Sequence, residues 1–181
     1  MQENYHGHGD SIHVAIRLAR LAVAAICVIA LVGSASEALA GDNQLLGTWM
    51  LKSFIRQDSA TGERRPALGE HPDGYLGYAP DGRMYAQFVA GIRVVPAGDQ
   101  PTDAERVLLH KSMIAYAGTY TIDGGQIIHH IDLAWNNARL GSDQVRFFKV
   151  EGERLTLTTE HNKSPIDGSE GFGVLEFERV K

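Results

Sequence analysis

From residue 45 onward, apolar and polar positions alternate along most of the chain, in runs of about five to ten residues. Period two marks a half-buried strand, because successive side chains point to opposite faces. The pattern predicts strands near 46–57, 74–79, 83–90, 116–122, 126–134, 145–150, 154–160 and 172–180, with a further short one near 63–68. Turn signals separate them: Gly62, Asp73-Gly74, Asp81-Gly82, Asp123-Gly124-Gly125, Glu151-Gly152 and Asp167-Gly168. Turns this close together leave no room for helical crossovers, so neighbouring strands are expected to pair antiparallel, up and down.

One stretch breaks the alternation. Thr102 and Glu105 form a capping box just after Pro101, and Val107, Leu108, Met113 and Ile114 then recur at helical spacing. A helix is predicted from Asp103 to near Ala115, either plugging a barrel mouth or lying against the outside. About eight strands with one helix suffice to close a barrel whose interior suits side chains or one small ligand. The expected fold class is all-β: a small antiparallel up-and-down β-barrel with one short helix.

The first 40 residues read differently. Arg17 and Arg20 precede a run of twelve uncharged, almost wholly apolar residues at 21–32, and Ala38-Leu39-Ala40 offers small residues where a signal peptidase reads. This is the layout of a signal peptide. The run is shorter than the roughly 18–20 apolar residues a spanning helix needs. The expected organisation is a leader over 1–40 and one barrel domain over 41–181, placing the mature protein in the periplasm or outside the cell, without stable membrane insertion. The single cysteine, Cys27, falls in the leader, so the mature domain has no disulfide framework.

Of 17 basic and 22 acidic residues, two and three lie in the leader, so the mature domain stays mildly acidic with dispersed charge. That gives no electrostatic footprint for nucleic acid or anionic membranes. The serines sit in no G-x-S-x-G context, and there is neither a dinucleotide fingerprint nor a phosphate-binding loop. No catalytic residue, cofactor or metal site is assigned.

Strand parity nominates a site instead. Ile127, His129, Ile131 and Leu133 share an apolar face, with His130 and Asp132 on the opposite one, so the adjacent histidines cannot hold one metal together. Arg146 shares a face with Phe148 and Val150, which Leu155 and Leu157 of the next strand would meet. An inward guanidinium needs a partner: a carboxylate or carbonyl of the protein, an acidic group on a ligand, or water at the rim. Tyr78, Met84 and Phe88 supply candidate wall positions, and Trp135 opens a polar loop that could line the mouth. The candidate ligand-binding set is therefore Tyr78, Met84, Phe88, His129, Trp135, Arg146 and Phe148.

Several segments carry a family resemblance: L-L-G-T-W at 45–49, G-E-H-P-D-G-Y-L-G-Y at 69–78, P-D-G-R-M at 80–84, Y-A-G-T-Y-T-I-D-G at 116–124, H-H at 129–130, V-R-F-F at 145–148 and R-L-T-L at 154–157. Together they resemble the stand-alone lipocalin-like domains of bacteria and fungi. The resemblance implies a small barrel that binds small hydrophobic molecules, with Trp49 closing one end under a basic residue of the last strand. Arg179 is placed for that role, since Leu175, Phe177 and Arg179 share a face. No particular ligand or reaction follows from it.

The first expectation is thus an exported lipocalin-like binding protein for a small apolar or amphipathic molecule, including one with an acidic head facing Arg146. A second is a cofactor-free isomerase or cyclase with His129 as acid–base and Arg146 stabilising an enolate. A third is an envelope protein with a filled barrel. The contents of the barrel interior discriminate among them.

Overall fold

The computed structural model describes residues 44–181. The predicted leader and Cys27 lie outside the described residues.

The alternating segments form ten strands: β1 (Gly47–Asp58), β2 (Arg64–Pro66), β3 (Asp73–Tyr78), β4 (Arg83–Val89), β5 (Met113–Asp123), β6 (Gln126–Ala134), β7 (Asp143–Glu151), β8 (Arg154–Thr159), β9 (Asn162–Lys163) and β10 (Glu170–Arg179). Eight of them pair in the order β1-β3-β4-β5-β6-β7-β8-β10, and β10 returns to β1 along its length, from Trp49↔Arg179 to Asp58↔Gly171. Every pairing in this circuit is antiparallel. Closure leaves the circuit no free edge. Short β2 and β9 extend the rim beside β1 and β10.

The two ends of the barrel differ. Hairpins at 79–82, 124–125 and 152–153 gather at one end with the start of β1 and the finish of β10. There Trp49 is fully buried, its indole N–H donates to the Leu45 carbonyl at 2.8 Å, and the Arg179 guanidinium lies 4.0 Å over the ring. Arg179 also donates to the Leu46 and Gln44 carbonyls. Gly47 serves this arrangement twice. Its φ of +114° suits glycine, and a Cβ there would sit 3.2 Å from the arginine it faces. The other end carries the longer connections at 90–112, 135–142 and 160–169, and forms the mouth.

Two bulges decide which side chains enter the barrel. In β1, Leu51 pairs with Phe177 and Ser53 with Glu176, so Lys52 is an extra residue. Trp49 and Leu51 are buried before it, Phe54 and Arg56 after it. In β6, Ala117 pairs with Leu133 and Gly118 with Ile131, which leaves Asp132 extra. A Cβ on Gly118 would lie 1.9 Å from the His130 carbonyl oxygen, so only glycine permits this approach. Strict alternation places Leu133 inside with Ile127, His129 and Ile131; instead it is 66% exposed. A one-residue slip sends later side chains to the other face.

The helix α1 (Asp103–Lys111) carries the predicted capping box in full: Thr102 accepts from the Glu105 N–H, and Glu105 accepts from the Thr102 N–H. It ends before the predicted Ala115. Met113, Ile114 and Ala115 enter β5 opposite Val89, Phe88 and Gln87, where Ile114 is buried. Strand pairing with a buried isoleucine displaces the last helical turn. None of the helix's own residues is buried.

Candidate functional site

The barrel interior is packed from the closed end to mid-height, and a small cavity remains above. Trp49, Leu76, Ile127, Leu155 and Phe177 fill the lower part. At the mouth end a cavity of about 40 Å³ remains. Its apolar wall comes from Phe54, Leu76, Phe88, Ile114, Leu157 and Leu175, and its polar lining from Arg56, Tyr116, Arg139, Arg146, Thr159, Asn162 and Ser164, with Pro165 at the edge. One water needs roughly 10–15 Å³ of such space and a benzene ring a cavity of roughly 150 Å³, so the cavity as it stands has room for about three or four waters; a ring-sized solute enters only as lining side chains give way toward the mouth, and a long lipid does not fit.

The sequence-predicted residues divide around this cavity. Phe88 and Arg146 line it. Arg146 points inward as parity predicts, is 8% exposed, and donates from Nη1 to the Val145 carbonyl at 2.7 Å. Tyr78, Met84 and His129 are buried in the packed interior beneath. Trp135 and Phe148 pack against the core from half-buried positions and do not line the cavity. The Trp135 ring neighbours His110 of α1, and its buried indole N–H has no acceptor among the described residues.

His129 is held on both sides. Its Nε2 lies 2.8 Å from the Tyr78 hydroxyl and its Nδ1 lies 3.2 Å from the Tyr116 hydroxyl. A neutral imidazole has one donor and one acceptor nitrogen, so one tyrosine donates to the ring and the other accepts from it. Burial holds the imidazole well below its ordinary pKa, and the charge of Arg146 adds to the effect. Burial likewise pushes the Tyr78 phenol well above its usual range. His129 and Tyr78 are thus uncharged at neutral pH, and Tyr116 links them to the cavity wall. His130 faces outward, as parity predicts, between Thr121 and Asp143. Among the described residues, no cluster of metal-ligating side chains occurs.

Six of the seven polar lining groups escape sequence reasoning: Tyr116 and Thr159 lie on predicted strands but outside the candidate set, and Arg56, Arg139, Asn162 and Ser164 lie where alternation is interrupted or absent. Arg56 lies beyond the Lys52 bulge, so uninterrupted alternation from Trp49 puts it outside. The available signal is Phe54, an aromatic residue at the wrong parity. Arg139 sits in the short 3-10 turn Asn137–Arg139, where no periodicity applies, and reaches the cavity only because the β6–β7 connection folds over the mouth. Asn162 and Ser164 belong to the 160–169 connection, which Arg56 anchors through the Asn162 side chain and the Asn162 and Ser169 carbonyls.

No curated protein matches this chain. A family model described as a lipocalin-like domain matches residues 46–180, from the closing tryptophan segment to the end of β10. With the closed eight-stranded antiparallel barrel of its described residues, the chain belongs to the lipocalin-like domain family.

Proposed function

We propose that this protein is an exported binding protein for a small amphipathic molecule, held in the mouth-end cavity of the barrel. The observation that carries this reading is the cavity itself: apolar on most of its wall, polar at a few convergent points, inside a barrel plugged at its other end. Small-molecule sites have this composition. The leader-like residues 1–40 supply the argument for export, to the periplasm or beyond. Isomerase chemistry with His129 as acid–base has less support, because both ring nitrogens are engaged by tyrosines and the ring lies behind the cavity wall. General acid–base catalysis needs the ring within hydrogen-bond reach of the substrate.

Titration calorimetry with ring-sized solutes, benzyl alcohol and benzoate, tests the binding reading. Saturable one-to-one binding with a negative heat-capacity change is expected, and Leu157→Phe, which fills the cavity, should abolish it while preserving the fold. The reading fails if neither solute binds, or if binding survives the filled cavity. For export, N-terminal sequencing of protein from the periplasm or medium should begin at Gly41, within a residue or two; a cytosolic species retaining Met1 contradicts it.

A further inference from the structure

Among the described residues, three guanidinium groups converge on the mouth cavity and no carboxylate lines it. They come from separated segments: Arg56 from β1, Arg139 from the β6–β7 connection and Arg146 from β7. Among the described residues, none of the three has a carboxylate oxygen within ion-pair distance. Asp167, whose charge acts on Arg56, is engaged by Arg65 at 2.5 Å and by Ser169. In a domain richer in acidic than basic residues, such a convergence is not a consequence of composition.

The neutral lining groups are largely committed to the protein. The Thr159 hydroxyl donates to the Glu160 carbonyl and accepts from the Gly173 N–H. The Asn162 side chain accepts from Arg56 and donates to Thr159 and Glu160. Ser164 accepts from Ile166 and Asp167. The arginines have capacity left. A guanidinium carries five N–H donors. Arg146 uses one on the Val145 carbonyl, and Arg139 uses one on Gln144. Arg56 is only 4% exposed, yet its Nε–H has no acceptor among the described residues. Buried polar groups of this kind ordinarily find partners, and a planar donor fork matches an oxyanion. Burial and the neighbouring Arg146 charge both hold the Arg139 guanidinium below its ordinary pKa, a strain that a bound anion relieves.

We infer that the mouth cavity is an oxyanion site, in which Arg146, Arg139 and Arg56 grip the carboxylate or phosphate head of a small molecule whose apolar body packs on Phe54, Phe88 and Leu157. The inference rests on the binding reading above and assigns its ligand class: small organic anions, not neutral lipophiles. Arg56 has a second duty in anchoring the 160–169 connection, so Arg146 and Arg139 carry the specificity that mutation can read.

The test titrates the full chain with benzoate, phenyl phosphate and benzyl alcohol, which share a ring and differ in the head. Benzoate or phenyl phosphate is expected to bind about ten- to a hundredfold more tightly than benzyl alcohol, the range of a charge-assisted hydrogen bond. Arg146→Gln should erase most of that preference with little change for the alcohol. Arg139→Gln, at a half-buried turn position, provides the same readout if Arg146→Gln does not fold, as judged by its melting transition. Whichever anion binds more tightly names the head group. Benzyl alcohol binding as well as both anions overturns the anion assignment and leaves the binding reading standing. Anion preference unchanged in both arginine variants also overturns it, and no binding by any of the three removes both.

Discussion

At the scale of single residues, Trp49 and His129 show how much a buried side chain depends on its partners. Trp49 has no exposed surface, one hydrogen bond to Leu45 and a cation above its ring. Trp49→Ala removes that packing at the closed end and should cost about 3–5 kcal/mol in urea unfolding; a variant as stable as the parent would mean that the plug contributes nothing to closure. For His129 the consequence is pH dependence. The folded pKa lies well below 6.5, and unfolding restores the ordinary value. Below pH 6.5 the unfolded chain therefore binds a proton that the folded chain does not, so stability falls as pH falls through that window. Between pH 7 and 5.5 the loss amounts to about 1 kcal/mol for one such group. His129→Gln should lose less stability than the parent over that interval in urea titrations; parallel losses would show that the imidazole titrates normally. That His129 faces inward is legible from parity. Its enclosure by Tyr78 and Tyr116 is not, because those tyrosines come from β3 and β5 and meet the ring only after the barrel closes.

Elements show where local signals suffice. The α1 capping box is readable from Thr102 and Glu105 and is present in full, because it needs only residues three apart. Since α1 buries none of its residues, its stability is chiefly local. Thr102→Ala is expected to weaken the helix by about 1 kcal/mol and to raise amide exchange at 103–111 by about fivefold, with the barrel strands unchanged. Raised exchange in the barrel strands as well, or no rise in the helix, contradicts that independence. The helix end is a different matter: Met113 to Ala115 have helical spacing, but Ile114 gains a place opposite Phe88 by joining β5. Likewise, the bulges at Lys52 and Asp132 are defined by the partner strand's register, which the bulged strand alone does not specify.

For the whole molecule, a circuit of antiparallel strands with one core predicts cooperative unfolding. The two tryptophans provide probes at opposite ends, Trp49 at the plug and Trp135 near the mouth. In Trp135→Phe, the fluorescence of Trp49 should follow the same urea transition as far-UV circular dichroism, and in Trp49→Phe the fluorescence of Trp135 should do so too, at a lower midpoint. An earlier Trp135 transition would make the mouth a separate unfolding unit. Cooperativity also bears on the site, because the three arginines stay together against mutual repulsion only while the circuit that positions them is closed.

By itself the sequence determined the all-β class, the number and placement of the main strands and the capped helix, together with the inward orientation of His129 and Arg146. Each of these depends on short-range periodicity or on a turn or cap a few residues long; the closure of Trp49 by Arg179 is legible only through the family resemblance, with period two placing Arg179 on the same face as Leu175 and Phe177. Tertiary structure decided the rest. It turned Arg56 inward and Leu133 outward through bulges set by the facing strand. It enclosed His129 between two tyrosines, and it brought Arg139 from an aperiodic turn to the same cavity as Arg56 and Arg146. The physical reason is that a cavity is the volume left where distant segments meet, and no segment encodes that volume alone.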